Sequence, residues 1–250
     1  MQNLNTHEIK NTRHKPLAKI LSKSLSTALF QFTLTKKAIA IFPLLFITSP
    51  LFAETFILAE NYSNNSPSQL KNPLYRESLA LMEARDYKSA INSLTSFLDE
   101  NPSSENAYYL RGKAYQELDA LDKASVDYLQ AIKLNPESYK SHNNLGLIYG
   151  RIKKFDLAKK SFSKAININP QPKEALNNRG VAKAATGDPG GAISDFTKSI
   201  KIDEKYLEPL LNRSFVLEMQ GKLKEACNDW KKASLLGSKN AKTWHKAQCK

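Results

Sequence analysis

One dipeptide returns on a fixed schedule and constrains everything that follows. Asn-Pro stands at Asn101-Pro102, Asn135-Pro136 and Asn169-Pro170, and Asp203-Glu204 occupies the next place, 34 residues on. A chain with this period makes one small unit repeatedly and buries its apolar faces by stacking neighbours. Units that end two residues beyond each mark are 71–104, 105–138, 139–172, 173–206 and 207–240.

The columns of this register agree in size. The eighth place holds Ser78, Gly112, Gly146, Gly180 and Ser214, and the twentieth holds Ala90, Ala124, Ala158, Ala192 and Ala226. The twenty-fourth holds Leu94, Tyr128, Phe162, Phe196 and Trp230, and the twenty-seventh Phe97, Ala131, Ala165, Ser199 and Ala233. Small residues let two helices approach to about 8–10 Å, and the large one fills the space they leave. Each unit therefore reads as two helices. Turns are expected at Asp86-Tyr87, Asp119-Ala120, Lys153-Lys154, Gly187-Asp188 and Gly221-Lys222. Pro at the thirty-second place is expected to end the second helix. The run Asp188-Pro-Gly-Gly191 places Pro189 in a position otherwise held by larger residues, and this turn is expected to be looser than the rest.

Residues 105–136 (with Asn-Ala-Tyr-Tyr-Leu-Arg-Gly-Lys-Ala-Tyr, then Asp122-Lys-Ala, Tyr128, Ala131 and Asn135-Pro136) and 139–170 resemble the tetratricopeptide repeat family. The resemblance covers about 170 of the 250 residues. It implies an all-α fold, a right-handed superhelical α-solenoid of five helix–turn–helix repeats. Residues 241–250 would follow as a capping helix, with Trp244 inward and Lys242, Lys246 and Lys250 outward.

Ahead of the repeats the character changes. Residues 1–37 carry seven Lys and Arg against one acid, Glu8, which is nearly half of the formal +13 of the whole chain. Residues 38–53 are uncharged and mostly apolar, and Ala53 precedes Glu54. A basic flank, a short apolar run and a small residue describe an export signal cleaved after Ala53. An uncleaved anchor over residues 38–59 remains open, with association to a membrane through that stretch. Both send the repeats across a membrane, because the basic flank stays inside. The destination is then a periplasm, a thylakoid lumen or the extracellular space. Residues 54–70 read as a flexible linker.

The remaining chain offers little for catalysis. His142 and His245 are its only histidines, and no phosphate-binding glycine loop or metal-ligand spacing occurs. The reading is a non-enzyme with no cofactor and no metal. Cys227 and Cys249 are the only thiols, and export favours a disulfide between them over two separate thiols.

The resemblance further implies a concave groove lined by first helices, where a peptide or protein segment lies. Its candidate residues are Tyr109, Lys113, Lys140, Asn143, Asn144, Arg151, Asn177, Asn178, Val181, Leu211, Asn212 and Phe215. Asn144, Asn178 and Asn212 share the sixth place, and a carboxamide can both donate to and accept from a peptide backbone. The alternative is that these amides fix the neighbouring helix. A clamp for a partner's C-terminal carboxylate is disfavoured, because Glu174 stands where a cation is needed. The expected function is a scaffold or adaptor for assembling an envelope or membrane complex. The competing class is a basic surface for anionic membrane or nucleic acid. That class would use Lys159, Lys160, Lys164, Lys198, Lys201, Lys231 and Lys232, but Asp156, Asp195 and Asp229 alternate with them on the same helices, and an ordinary solvated face is the preferred reading.

Overall fold

A computed structural model describes residues 67–249, and the expected signal at 1–53 and most of the linker at 54–70 lie outside those residues. The described residues are all-helical, with helices α1 (Pro67–Lys71), α2 (Pro73–Glu83), α3 (Tyr87–Glu100), α4 (Glu105–Glu117), α5 (Leu121–Leu134) and α6 (Tyr139–Arg151). There follow α7 (Phe155–Ile168), α8 (Lys173–Ala185), α9 (Pro189–Ile202), α10 (Leu207–Met219), α11 (Leu223–Leu235) and α12 (Lys239–Gln248). The chain forms two compact units, one ending at Ile148 and the other running from Tyr149. Among the described residues no helix is long and apolar enough to cross a membrane.

In the first compact unit, α2, α3 and α4 enclose Tyr75, Leu79, Leu94, Phe97, Leu98, Ala107 and Leu110. The Tyr75 and Phe97 rings lie 4.9 Å apart. Further on, Tyr128 of α5 presses on Gly112 of α4, where a Cβ would stand 3.0 Å from its ring. The second unit repeats the device more tightly. A Cβ on Gly180 of α8 would stand 2.6 Å from the Phe196 ring of α9. Phe196 packs there with Val181, Ala192 and Val216. Beyond them Ile200, Leu210, Leu217, Ala226, Trp230, Ala233 and Ala241 form the core that receives α12.

The turns between paired helices share one geometry. The fifteenth place is left-handed in every repeat: Arg85 (φ 60°), Asp119 (61°), Lys153 (63°), Gly187 (81°) and Gly221 (73°). The next residue's N–H closes back on the eleventh-place carbonyl, as in Asp86 to Leu81 at 2.9 Å and Asp188 to Lys183 at 2.9 Å. This is the helix-ending motif in which one left-handed residue reverses the chain. Two expectations change. The first turn is Arg85-Asp86, since Tyr87 already begins α3. The Asp188 turn is as closed as the others: its carboxylate accepts the Gly191 N–H at 2.8 Å, and Pro189 fits the first helical position, which needs no N–H donor.

Proline is also unnecessary for ending the second helix. α9 stops at Ile202 before Asp203-Glu204, the equivalent place to α5 and α7, which precede Asn-Pro. The common cause is the Asx side chain. Asn135, Asn169 and Asp203 accept the N–H two residues on at 3.1, 3.0 and 2.9 Å, an Asx turn that competes with further helix.

A second repeated device joins the helices of a pair. Arg111, Arg179 and Arg213 each grip an aspartate sixteen residues on, with Nε and Nη2 donating to both carboxylate oxygens of Asp127, Asp195 and Asp229 at 2.7–2.9 Å. Each Nη1 donates to a hydroxyl sixteen residues back: Thr95, Ser163 and Thr197. The aspartates are buried, at 3%, 0% and 3% exposure. One guanidinium thus ties three helices together.

Candidate functional site

In the first unit the groove candidates Tyr109, Lys113, Lys140, Asn143 and Asn144 lie on the first helices α4 and α6, all half-buried. Asn144 Nδ2 donates to the Tyr128 hydroxyl at 3.3 Å, and that hydroxyl donates to Gln116 Oε1 at 3.0 Å. The Tyr109 ring lies 6.0 Å from the Tyr128 ring. Burial, reinforced by the neighbouring Tyr109, holds the Tyr128 phenol well above its ordinary range, so it stays a neutral donor. Tyr128 thus gathers Tyr109, Gln116 and Asn144 into one small polar cluster. Asn143 Oδ1 is buried with no hydrogen-bond partner. His142 is half-buried, its Nε2 donating to the Pro136 carbonyl at 3.0 Å.

In the second unit, Asn177, Asn178 and Asn212 come together. Asn212 Nδ2 donates to Asn177 Oδ1 at 2.9 Å, and Asn177 Nδ2 donates to Asn178 Oδ1 at 3.4 Å. Asn177 is buried at 5% exposure, so it supports its neighbours and presents nothing to solvent. Val181 is a core residue. Leu211 packs against the core that holds α12, and the Phe215 ring meets the Trp244 ring edge-on at 4.9 Å. The cap helix therefore takes up part of the apolar end of the expected groove. Arg151 is exposed near the end of α6.

The two Asn readings therefore combine within single side chains. At Asn144 and Asn212 the amide nitrogen is committed to a neighbour while the carbonyl oxygen has no protein partner among the described residues. At Asn178 the oxygen accepts internally and the nitrogen is left. All three are half-buried, so the uncommitted atoms line a solvated surface. The supporting roles of Tyr128, Gln116 and Asn177 are not announced by residue type, whereas Trp244 was expected to face inward from the cap. Only the hydroxyl that distinguishes Tyr128 from Phe162 and Phe196 in its column hints at a polar cluster.

Cys227 and Cys249 form a disulfide with Cα atoms 5.7 Å apart, joining α11 to the end of α12. Among the described residues no group of three or more His, Cys, Asp or Glu is placed to hold a metal ion.

Family models described as tetratricopeptide repeat match residues 105–138 and 139–172, and a second such model matches 173–206. Residues 105–206 are tetratricopeptide repeats. The helix pairs before and after them, in 71–104 and 207–240, carry the same turn geometry. Among solved structures, MamA is similar at 22% identity and TM-score 0.61, covering 66% of this chain and 96% of that one. MamA of Desulfovibrio magneticus RS-1 is similar at 17% identity and TM-score 0.62, covering 65% and 92%. YrrB, described as a tetratricopeptide protein with an unusual peptide-binding site, is similar at 18% identity and TM-score 0.61, covering 76% and 97%. These likenesses establish the fold. A sequence search of curated proteins returns no match.

Proposed function

We propose that the tetratricopeptide array is a non-catalytic scaffold that holds an extended protein segment against its first helices. The observation that carries this reading is the sixth-place carboxamides, each anchored on one side and uncommitted on the other. An anchored amide is preorganised, so ordering it on binding costs little side-chain entropy. Main-chain N–H and C=O groups are the partners such amides fit. The likeness to YrrB, whose description names a peptide-binding site, points the same way. The basic and apolar leader of residues 1–53 supports export, and so does the Cys227–Cys249 disulfide, because disulfides persist in oxidising compartments. The finer reading is assembly of an envelope or membrane complex by an exported adaptor.

Asn178 offers the cleaner test. Asn212→Ala strips the donor from the buried Asn177 oxygen and is expected to destabilise by about 1–3 kcal/mol, whereas Asn178→Ala removes only a long 3.4 Å contact. A photo-crosslinking residue at position 178 of the full chain in its native compartment is expected to yield a protein adduct. The same residue at exposed Lys198 is expected to give none. Protein adducts from position 198 alone would refute the groove.

A further inference from the structure

The Lys face of the second helices has lost two of the three acids that were expected to balance it, while Asp156 stays exposed beside Lys159 and Lys160. Asp195 and Asp229 share helices with these lysines, but both are buried and held by arginines: Asp195 by Arg179, with Lys183 also reaching it, and Asp229 by Arg213. What remains outside is Lys160 and Lys164 on α7, Lys198 and Lys201 on α9, and Lys231 and Lys232 on α11, all exposed. Lys164, Lys198 and Lys232 occupy one repeat place, the twenty-sixth, so stacking brings them to the same side of successive units. None has an exposed acid three or four residues away on its own helix. The acids left on these helices, Asp156 and Glu225, sit in the first turns, about 10–12 Å along the axis from that place, and Asp156 is paired with Lys159. The whole second unit is biased the same way. Residues 149–249 hold 20 Lys and Arg against 10 Asp and Glu, whereas residues 67–148 hold 9 against 11.

We propose that this lysine face docks the second unit onto an anionic lipid bilayer. Three features choose a bilayer over nucleic acid. The charged groups are all ammonium point charges, while Arg179 and Arg213, whose forks would read phosphate or guanine, face inward. Of the aromatic side chains on these helices that could stack on bases, Phe162, Phe196 and Trp230 are buried, and the half-buried Phe155 sits at the first residue of α7, nine residues before Lys164. The apolar residues beside the lysines are aliphatic: Leu235, three and four residues beyond Lys232 and Lys231, is 80% exposed, and Leu236 is 39% exposed. Lysines that rise to headgroups around an inserting leucine describe an interfacial surface. The proposal is independent of the first-helix groove, which uses other helices.

The test is flotation or sedimentation of the full chain with two vesicle types. One is purely zwitterionic phosphatidylcholine, and the other contains about one third anionic phosphatidylglycerol. The residues before 67, basic over 1–37, are common to every variant, so the difference between variants on the anionic vesicles isolates the contribution of the lysine face. Each lysine near an anionic surface strengthens attachment roughly fivefold, so Lys164→Gln, Lys198→Gln and Lys232→Gln together are expected to weaken anionic binding about a hundredfold. The charge-matched control Lys71→Gln, Lys88→Gln and Lys133→Gln, all exposed lysines of the first unit, is expected to retain it. Helicity of both triple variants should match the parent, since none of these lysine side chains makes a hydrogen bond or ion pair among the described residues. Equal losses in both variants, undiminished binding in the first, or tighter binding to duplex or single-stranded DNA than to anionic vesicles at equal salt would each overturn the proposal.

Discussion

Arg179 shows how much one side chain carries in this fold. Its guanidinium is bidentate to Asp195, reaches the Ser163 hydroxyl, and so links α7, α8 and α9. Arg179→Ala would leave Asp195 as a buried charge with Lys183 alone beside it, and should cost about 3–5 kcal/mol, read as a drop in urea midpoint. Exchanging both partners, as Arg179→Met with Asp195→Leu, is expected to cost far less, because no charge is then left buried. The third repeat already has that kind of arrangement, with Leu145 and Ser161 in the two places. The pH dependence follows from Asp195. Burial alone would raise its carboxyl, but hydrogen bonds from Arg179 and Lys183 outweigh this and hold it below the ordinary carboxylate value. A depressed folded value means the stabilisation is complete above about pH 4 and disappears as pH falls through the folded value. Acid titration of the urea midpoint should show this loss in the parent and not in the double variant.

At the scale of an element, the left-handed residue of each turn decides where α-helix stops. Two of the five are Gly, and three are Arg85, Asp119 and Lys153, which bear a Cβ against the following carbonyl. Lys153→Gly should therefore raise stability by about 0.5–1 kcal/mol, offset in part by the greater freedom of an unfolded glycine. Gly180→Ala should do the reverse. Its Cβ would lie 2.6 Å from Phe196, and the ring is held between α8 and α9, so about 1–3 kcal/mol is expected. Thermal melts of the two variants, shifted in opposite directions, check both. The small-residue columns and aromatic column were plain in the sequence because they repeat in kind. The Arg–Asp link escaped because the first repeat, with Glu77 and Ser93, and the third, with Leu145 and Ser161, each break it at both ends. A reader comparing places in pairs, and not one column at a time, finds the signal: Arg at the seventh place accompanies Asp at the twenty-third and a hydroxyl in the preceding repeat.

For the whole molecule, an array stabilised between neighbours is weakest at its ends. The last core exposes its outer side to α12, which Ala241 and Trp244 press against Trp230 and Phe215. The Cys227–Cys249 disulfide closes a loop of 22 residues across that junction. Reduction is expected to remove about 3 kcal/mol of stability from the end of the array. Hydrogen exchange should then rise in α11 and α12 and stay unchanged in α2 to α5, since each helix pair touches only its neighbours.

The sequence by itself determined the period, the helix pairs and the residues that must be small, because these follow from local spacing and recur five times. It also supplied the uncharged, mostly apolar stretch at 38–53 and the excess of basic residues. Only the tertiary structure decided which charges face inward and which remain outside. Asp195 and Asp229 look like partners for the lysines beside them in sequence, and they belong instead to arginines sixteen residues earlier. It likewise decided that the shared Asn column is half committed to the fold, through Asn177 and Tyr128. Helical spacing places a side chain on a face. Which neighbour satisfies a buried charge or amide depends on the packing of another helix, and no local pattern along the chain contains that information.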